Sequence, residues 1–166
     1  MQLPTVEERR FRSFDGTDLA YHLLGDGPPV LLANGLGGSW RAWSHQLAYF
    51  GERRRFISWD YRGLYRSSPP NDRVALRVED HARDGLAVLD ELGIDEVELW
   101  GWSMGVQVGL ELYSLAPERL TSLTLLNGVP GAPWESALRL PRVGAAIPGL
   151  LGAMRVVPWA VQGMTE

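Results

Sequence analysis

The residues best equipped for chemistry are Gly101-Trp102-Ser103-Met104-Gly105, which follow the apolar run Val97-Glu98-Leu99-Trp100 and open a segment of helical character. A serine hydroxyl is a weak nucleophile until it is held exposed and its proton has somewhere to go. A G-x-S-x-G stretch between a strand and a helix supplies the first condition. The chain bends so sharply that the serine backbone is strained, and the flanking positions must be small for the bend to close. Ser103 would then attack an acyl carbon. The helix that starts after it offers free N–H groups and a partial positive charge where negative charge would develop. The same five residues would also serve as a tight turn with an incidental serine; the apolar strand before them and the helix after them favour the chemical reading.

The proton is the difficulty. The three histidines, His22, His45 and His81, all precede Ser103, and the carboxylates that follow it are Glu111, Glu118, Glu135 and Glu166. Glu111 is carried away along the helix that leaves the serine, Glu118 sits at the wrong end of the next strand, and the other two fall in the tail. None is placed as a triad acid, and the histidines read as packed or solvated structural residues. A serine without its base keeps roughly 10³ to 10⁴ over water, from oxyanion stabilisation and binding alone.

The elements that must position Ser103 are legible from pattern. Residues 10–14 and 19–24 flank Asp15-Gly16-Thr17, a hairpin signal. Residues 30–33 form an apolar run between Pro28-Pro29 and Asn34-Gly35, which predicts a buried strand ending in a turn. Trp40, Trp43, Leu47 and Phe50 share a helical face, with Ser39 placed as the cap. Residues 56–59 predict another strand. A helix is expected over 78–92, with Val78, Ala82, Leu86 and Leu89 in phase and Gly93 at its end. Residues 97–100 are then a strand, 104–115 a helix stopped by Pro117, and 120–126 a last strand. Strands alternating with helices after a hairpin predict an α/β fold with a mostly parallel sheet and helices on both faces.

Composition restricts the function classes. The 166 residues suggest one domain, and a net charge of −4 argues against a nucleic-acid binder, which would show a basic face. There is no cysteine, so neither disulfides nor thiolate metal sites arise. Residues 1–12 lack the apolar core of a signal peptide, and no apolar run approaches the roughly 18 residues of a membrane span. A cytoplasmic protein without metal or organic cofactor is expected.

Three ordered segments carry a family resemblance: Asn34-Gly35-Leu36-Gly37-Gly38, Asp60-Tyr61-Arg62-Gly63, and Gly101 to Gly105. Together they resemble the alpha/beta-hydrolase superfamily, in its lipase, esterase and peroxidase-like branch with a single cap. The resemblance implies Ser103 as nucleophile and the backbone N–H groups of Leu36 and Met104 as oxyanion-hole donors. Gly35 would permit close approach of backbone to substrate, and Trp102, beside the nucleophile, would line the pocket or pack on the sheet. Asn34 stands where many relatives have histidine, and Tyr65 where relatives usually have glycine. Asp60 and Arg62 are expected to form a structural ion pair or loop anchor. Members with aspartate in the serine's place, such as dehalogenases and epoxide hydrolases, form an alkyl-ester intermediate, and Ser103 argues against that chemistry. It suits acyl transfer to water from an ester, lactone, thioester or amide.

Residues 1–129 are expected to form the N-terminal part of the hydrolase core and 130–166 the beginning of a truncated helical cap, broken by Pro130, Pro133, Pro141, Pro148 and Pro158. The C-terminal strands of the family are missing, so strand 120–126 should lie at an exposed edge that invites association. The expected protein is the front portion of a serine hydrolase, inactive as it stands, whose partner is a small, apolar acyl substrate. The alternative is a noncatalytic protein of the same fold that uses its apolar tail and open edge for binding. A third reading has the acid and histidine supplied by another chain.

Overall fold

The side-chain alternation of the central strands decides the layers. In the computed structural model, which describes residues 3–71 and 76–131, the strands are β1 (Val6–Arg12), β2 (Asp18–Leu24), β3 (Pro29–Ala33), β4 (Arg55–Trp59), β5 (Val97–Trp102) and β6 (Leu120–Leu126). Successive residues of a strand face opposite ways. Leu31 and Ala33 of β3, Ile57 and Trp59 of β4 and Leu99 of β5 therefore meet one helical layer, and Val30, Leu32 and Phe56 meet the other.

The first layer is α2 (Val78–Glu91) and α3 (Met104–Leu115), which contribute Ala82, Val88, Leu89, Val108 and Leu112. The second is a 3₁₀ turn, Trp40–Trp43, running into α1 (Ser44–Phe50), which contributes Trp40, Trp43 and Leu47. Ser39 caps that turn as expected, its hydroxyl accepting from the amide of Arg41 at 3.4 Å. At the start of α2 the Asp80 carboxylate accepts from the amide of Arg77 at 2.9 Å, and Gly93, at φ +63, ends the helix. All these elements belong to one compact unit, Met1–Gly128.

The strand order is β1-β2-β4-β3-β5-β6. β1 and β2 form the expected antiparallel hairpin, with Phe11 opposite Leu19 and Gly16 at φ +81 in the turn. The sheet is mixed: β2 also runs antiparallel to β4, while β3–β4, β3–β5 and β5–β6 are parallel. The parallel part is the part that matters for Ser103. It brings the C-terminal ends of β3, β4, β5 and β6 to one rim, where the loops after them converge. Among the described residues β6 is one edge strand of the sheet, β1 the other, and Leu125 and Leu126 on β6 are exposed. The expected cap, residues 130–166, lies outside the described residues beyond Gly131.

Candidate active site

The bend between β5 and α3 is built from what glycine leaves out. Ser103 sits at φ +56, ψ −117, a conformation that side chains avoid, and it is half-buried. A Cβ on Gly105 would overlap the carbonyl oxygen of Ala33, and one on Gly101 the carbonyl oxygen of Gly105. The first turn of α3 therefore lies directly on the end of β3. A Cβ on Gly128 would overlap the Ser103 carbonyl oxygen, so the chain leaving β6 closes the bend from a third side. The Ser103 amide donates to the Leu126 carbonyl at 3.0 Å, which ties the bend to that strand. No pattern in the sequence marks Gly128 for this task.

The loop after β3 meets this bend. A Cβ on Gly35 would stand 2.8 Å from the Trp102 ring and 3.2 Å from the Ser103 Cβ, so Gly35, Trp102 and Ser103 are brought together. Leu36 and Met104 are the residues next to Gly35 and Ser103. The Met104 amide opens α3 and has no acceptor within the helix. The Leu36 side chain is 63% exposed, and the Gly38 amide closes the turn by donating to the Gly35 carbonyl at 2.9 Å.

Asn34, fully buried, fixes the base of this loop. Its amide nitrogen donates to the Ser58 hydroxyl at 3.0 Å, its side-chain oxygen accepts from the Trp43 indole at 2.9 Å, and its carbonyl accepts from the Tyr61 hydroxyl at 2.8 Å. Burial, opposed only in part by that last bond, pushes the Tyr61 phenol above its ordinary range, so it stays a donor. Asparagine thus has a structural reason here that its small size alone did not reveal.

Asp60 and Arg62 do not pair with each other; both anchor the loop, the second of the two expected roles, through other partners. Arg62 is buried and its guanidinium reaches both oxygens of Asp84, at 2.6 and 2.7 Å, and Asp15 at 2.6 Å. Burial disfavours the Arg62 charge, and the two carboxylates outweigh it and hold the group firmly protonated. Asp60 instead accepts from or pairs with His22, Nε2 to Oδ1 at 3.1 Å, and accepts from the Arg66 amide at 3.1 Å. Asp60 and Arg62 belong to a loop whose partners come from β2, the β1–β2 turn and α2, which sequence proximity does not show.

Tyr65 stands at φ +48, so the turn forms despite the tyrosine, and its hydroxyl donates to the Gly37 carbonyl. It also lines an open cleft of about 710 Å³ with His22, Ser39, Trp40 and Asp60.

None of the histidines joins Ser103. His22 is buried against Asp60, His45 is exposed on α1, and His81 stacks on Tyr61 with ring centroids 4.5 Å apart. Burial, helped by the Arg62 charge, pulls His81 down to about 4. Among the described residues no side chain hydrogen-bonds the Ser103 hydroxyl. Among them, too, no cluster of three metal-ligating side chains occurs, and no helix is long and apolar enough to cross a membrane.

A family model described as the alpha/beta hydrolase fold matches residues 28–149. A protein of Azorhizobium caulinodans named "Putative carbamate hydrolase RutD" is 37% identical over 111 residues, 67% of this chain and 41% of its own length. Its namesake in Variovorax paradoxus is 39% identical over 107 residues, 64% of this chain and 40% of its own. The chain thus spans about two fifths of the length of these curated relatives. Among solved structures, an epoxide hydrolase of Vigna radiata superposes with TM-score 0.71 at 26% identity, over 86% of this chain and 46% of that one. An alpha/beta hydrolase of Novosphingobium aromaticivorans gives TM-score 0.67 at 25% identity, over 75% and 45%.

Proposed function

Because the chain belongs to the alpha/beta hydrolase fold family, we propose that Ser103 is the nucleophile of a hydrolase acting on an ester or a related acyl compound. The observation that carries this reading is the bend itself: a half-accessible serine held at φ +56, with Gly35, Gly101, Gly105 and Gly128 pressed around it. Strain of this kind costs about 1–3 kcal/mol, and surroundings this tightly packed are what allow a fold to keep it.

The chemistry follows from the positions. The Ser103 oxygen attacks the acyl carbon, and the carbonyl oxygen becomes an oxyanion facing the N–H groups of Leu36 and Met104. The second of these lies at the positive end of α3. The alcohol leaves with a proton, and water then cleaves the acyl-serine. Gly35 and Trp102 border the acyl group; the indole offers an apolar surface, which fits an apolar substrate. Residues 130–166 are proposed to form a cap over this site.

The epoxide hydrolases among the structural neighbours share the fold with this chain, and the serine separates the chemistries. A carboxylate opening an epoxide gives an ester that water cleaves, whereas a serine would give an inert ether. The carbamate in the curated relatives' name is an acyl compound, so the same attack serves it. That gives a second substrate class, favoured by the 37% identity.

The chain supplies a nucleophile and two amides, and its three histidines are occupied elsewhere or remote in sequence order. Its own turnover is therefore limited to roughly 10³ to 10⁴ over water. Hydrolysis of a p-nitrophenyl ester and of the matching carbamate by purified chain tests this. Ser103→Ala is expected to abolish the acyl adduct on the chain, read by intact mass, without lowering the melting temperature, while the oxyanion and binding contribution to the rate persists. No acyl adduct on the folded parent would favour the noncatalytic binding reading.

A further inference from the structure

We propose that Tyr65 is a positioning residue for this reaction: its hydroxyl holds the loop that carries the Leu36 amide. The inference rests on the roles given above to Ser103 and Leu36.

Tyr65 occupies the left-handed region at φ +48, where a side chain costs roughly 1–2 kcal/mol that glycine avoids. Its ring is no compensation, since the residue is 40% exposed. What the side chain contributes is the bond from its hydroxyl to the Gly37 carbonyl. Gly37, itself at φ +70, lies between Leu36 and Gly38 in the turn closed by the Gly38 amide on the Gly35 carbonyl. Three glycines in residues 35–38 leave that turn soft. An amide lowers the barrier only when its direction is fixed before the charge develops.

The tether is itself firmly held. The amide of the next residue, Arg66, donates to buried Asp60, and Asp60 is paired with His22 on β2. The Ser67 hydroxyl donates to the Asp60 carbonyl at 2.7 Å and accepts from the Ala20 amide at 3.0 Å. Gly63 and Ser68 close the loop by an amide-to-carbonyl bond of 3.0 Å. The backbone at Tyr65 is thus clamped to the sheet, which lets it keep a strained φ and pass that rigidity to Gly37. Tyr65 acts through Gly37 and not on the reacting atoms.

Two variants of the full chain separate this role from a merely structural one. Tyr65→Phe removes the hydroxyl alone, and Tyr65→Gly removes the strain as well. Both are expected to lower kcat for ester hydrolysis by roughly tenfold with KM within about twofold, the signature of an interaction made in the transition state. Tyr65→Gly is expected to melt no lower than the parent, so rate falls while stability holds. Exchange of the amides of residues 36–38 is expected to be about tenfold faster in Tyr65→Phe. An unchanged kcat, a change in KM alone, or a kcat loss that only tracks melting temperature overturns the proposal. If the parent itself forms no acyl adduct on Ser103, it is the reading of Ser103 that fails. Amide exchange then decides the tether by itself: faster exchange supports it and unchanged exchange overturns it.

Discussion

At the scale of single residues, the rim of the sheet shows how little of a side chain's task is visible from its type. Ser103 and its glycines were legible because a sharp strand-to-helix bend demands small residues at fixed offsets. His81 was not: in sequence it is a histidine near a helix start, and in the structure it stacks on Tyr61 and stays neutral, pulled down to about 4. This has a definite sign. Above its ordinary value of 6.5 His81 is uncharged in both folded and unfolded chains. As pH falls below that, the unfolded chain takes up a proton that the folded chain refuses until about 4, so stability falls with pH through this window. Urea melts at pH 7 and pH 5 should show the parent losing on the order of 2 kcal/mol more than His81→Phe, which keeps a stacked ring and cannot titrate. Equal losses would mean that His81 is protonated in the folded chain.

At the scale of elements, periodicity located the six strands and the α-helices of residues 6–126 to within about four residues, most closely β2, β3, β4 and α2, which each bury a face, and least closely β1, where only Phe11 is buried. The α3 glycines lie against the sheet. A Cβ on Gly109 would come within 2.8 Å of Leu99, and one on Gly105 would meet backbone of β3, which cannot give way. Gly105→Ala is therefore expected to cost about 3 kcal/mol or more, read from denaturant midpoints, against a smaller loss for Gly109→Ala, whose neighbour is the end of a leucine. The antiparallel pairing of β2 with β4 and the partners of Arg62 were not legible, since they depend on which loops meet across the sheet. No local repeat encodes that meeting. The substitution of tyrosine for glycine at 65 was visible as an anomaly; its explanation needed the Gly37 carbonyl.

At the scale of the molecule, the sheet ends on β6, and among the described residues no strand pairs its outer edge. Leu125 and Leu126 are exposed on it, and Ser122 faces solvent next to Glu98 in register. An open, uncharged edge of seven residues is a template for pairing with another chain. We expect concentration-dependent association in sedimentation velocity, reduced by Ser122→Lys, which puts a charge on the edge beside Glu98. A parent monomeric at every concentration would show that this edge is covered.

The claim on which the functional account turns is that the Ser103 hydroxyl faces the amides of Leu36 and Met104. The most direct measurement is a crystal structure of the chain after reaction with a fluorophosphonate. The account predicts phosphorus on the Ser103 oxygen and the phosphoryl oxygen about 2.7–3.1 Å from both amide nitrogens. An adduct on another residue, or a phosphoryl oxygen turned away from that pair, would contradict it.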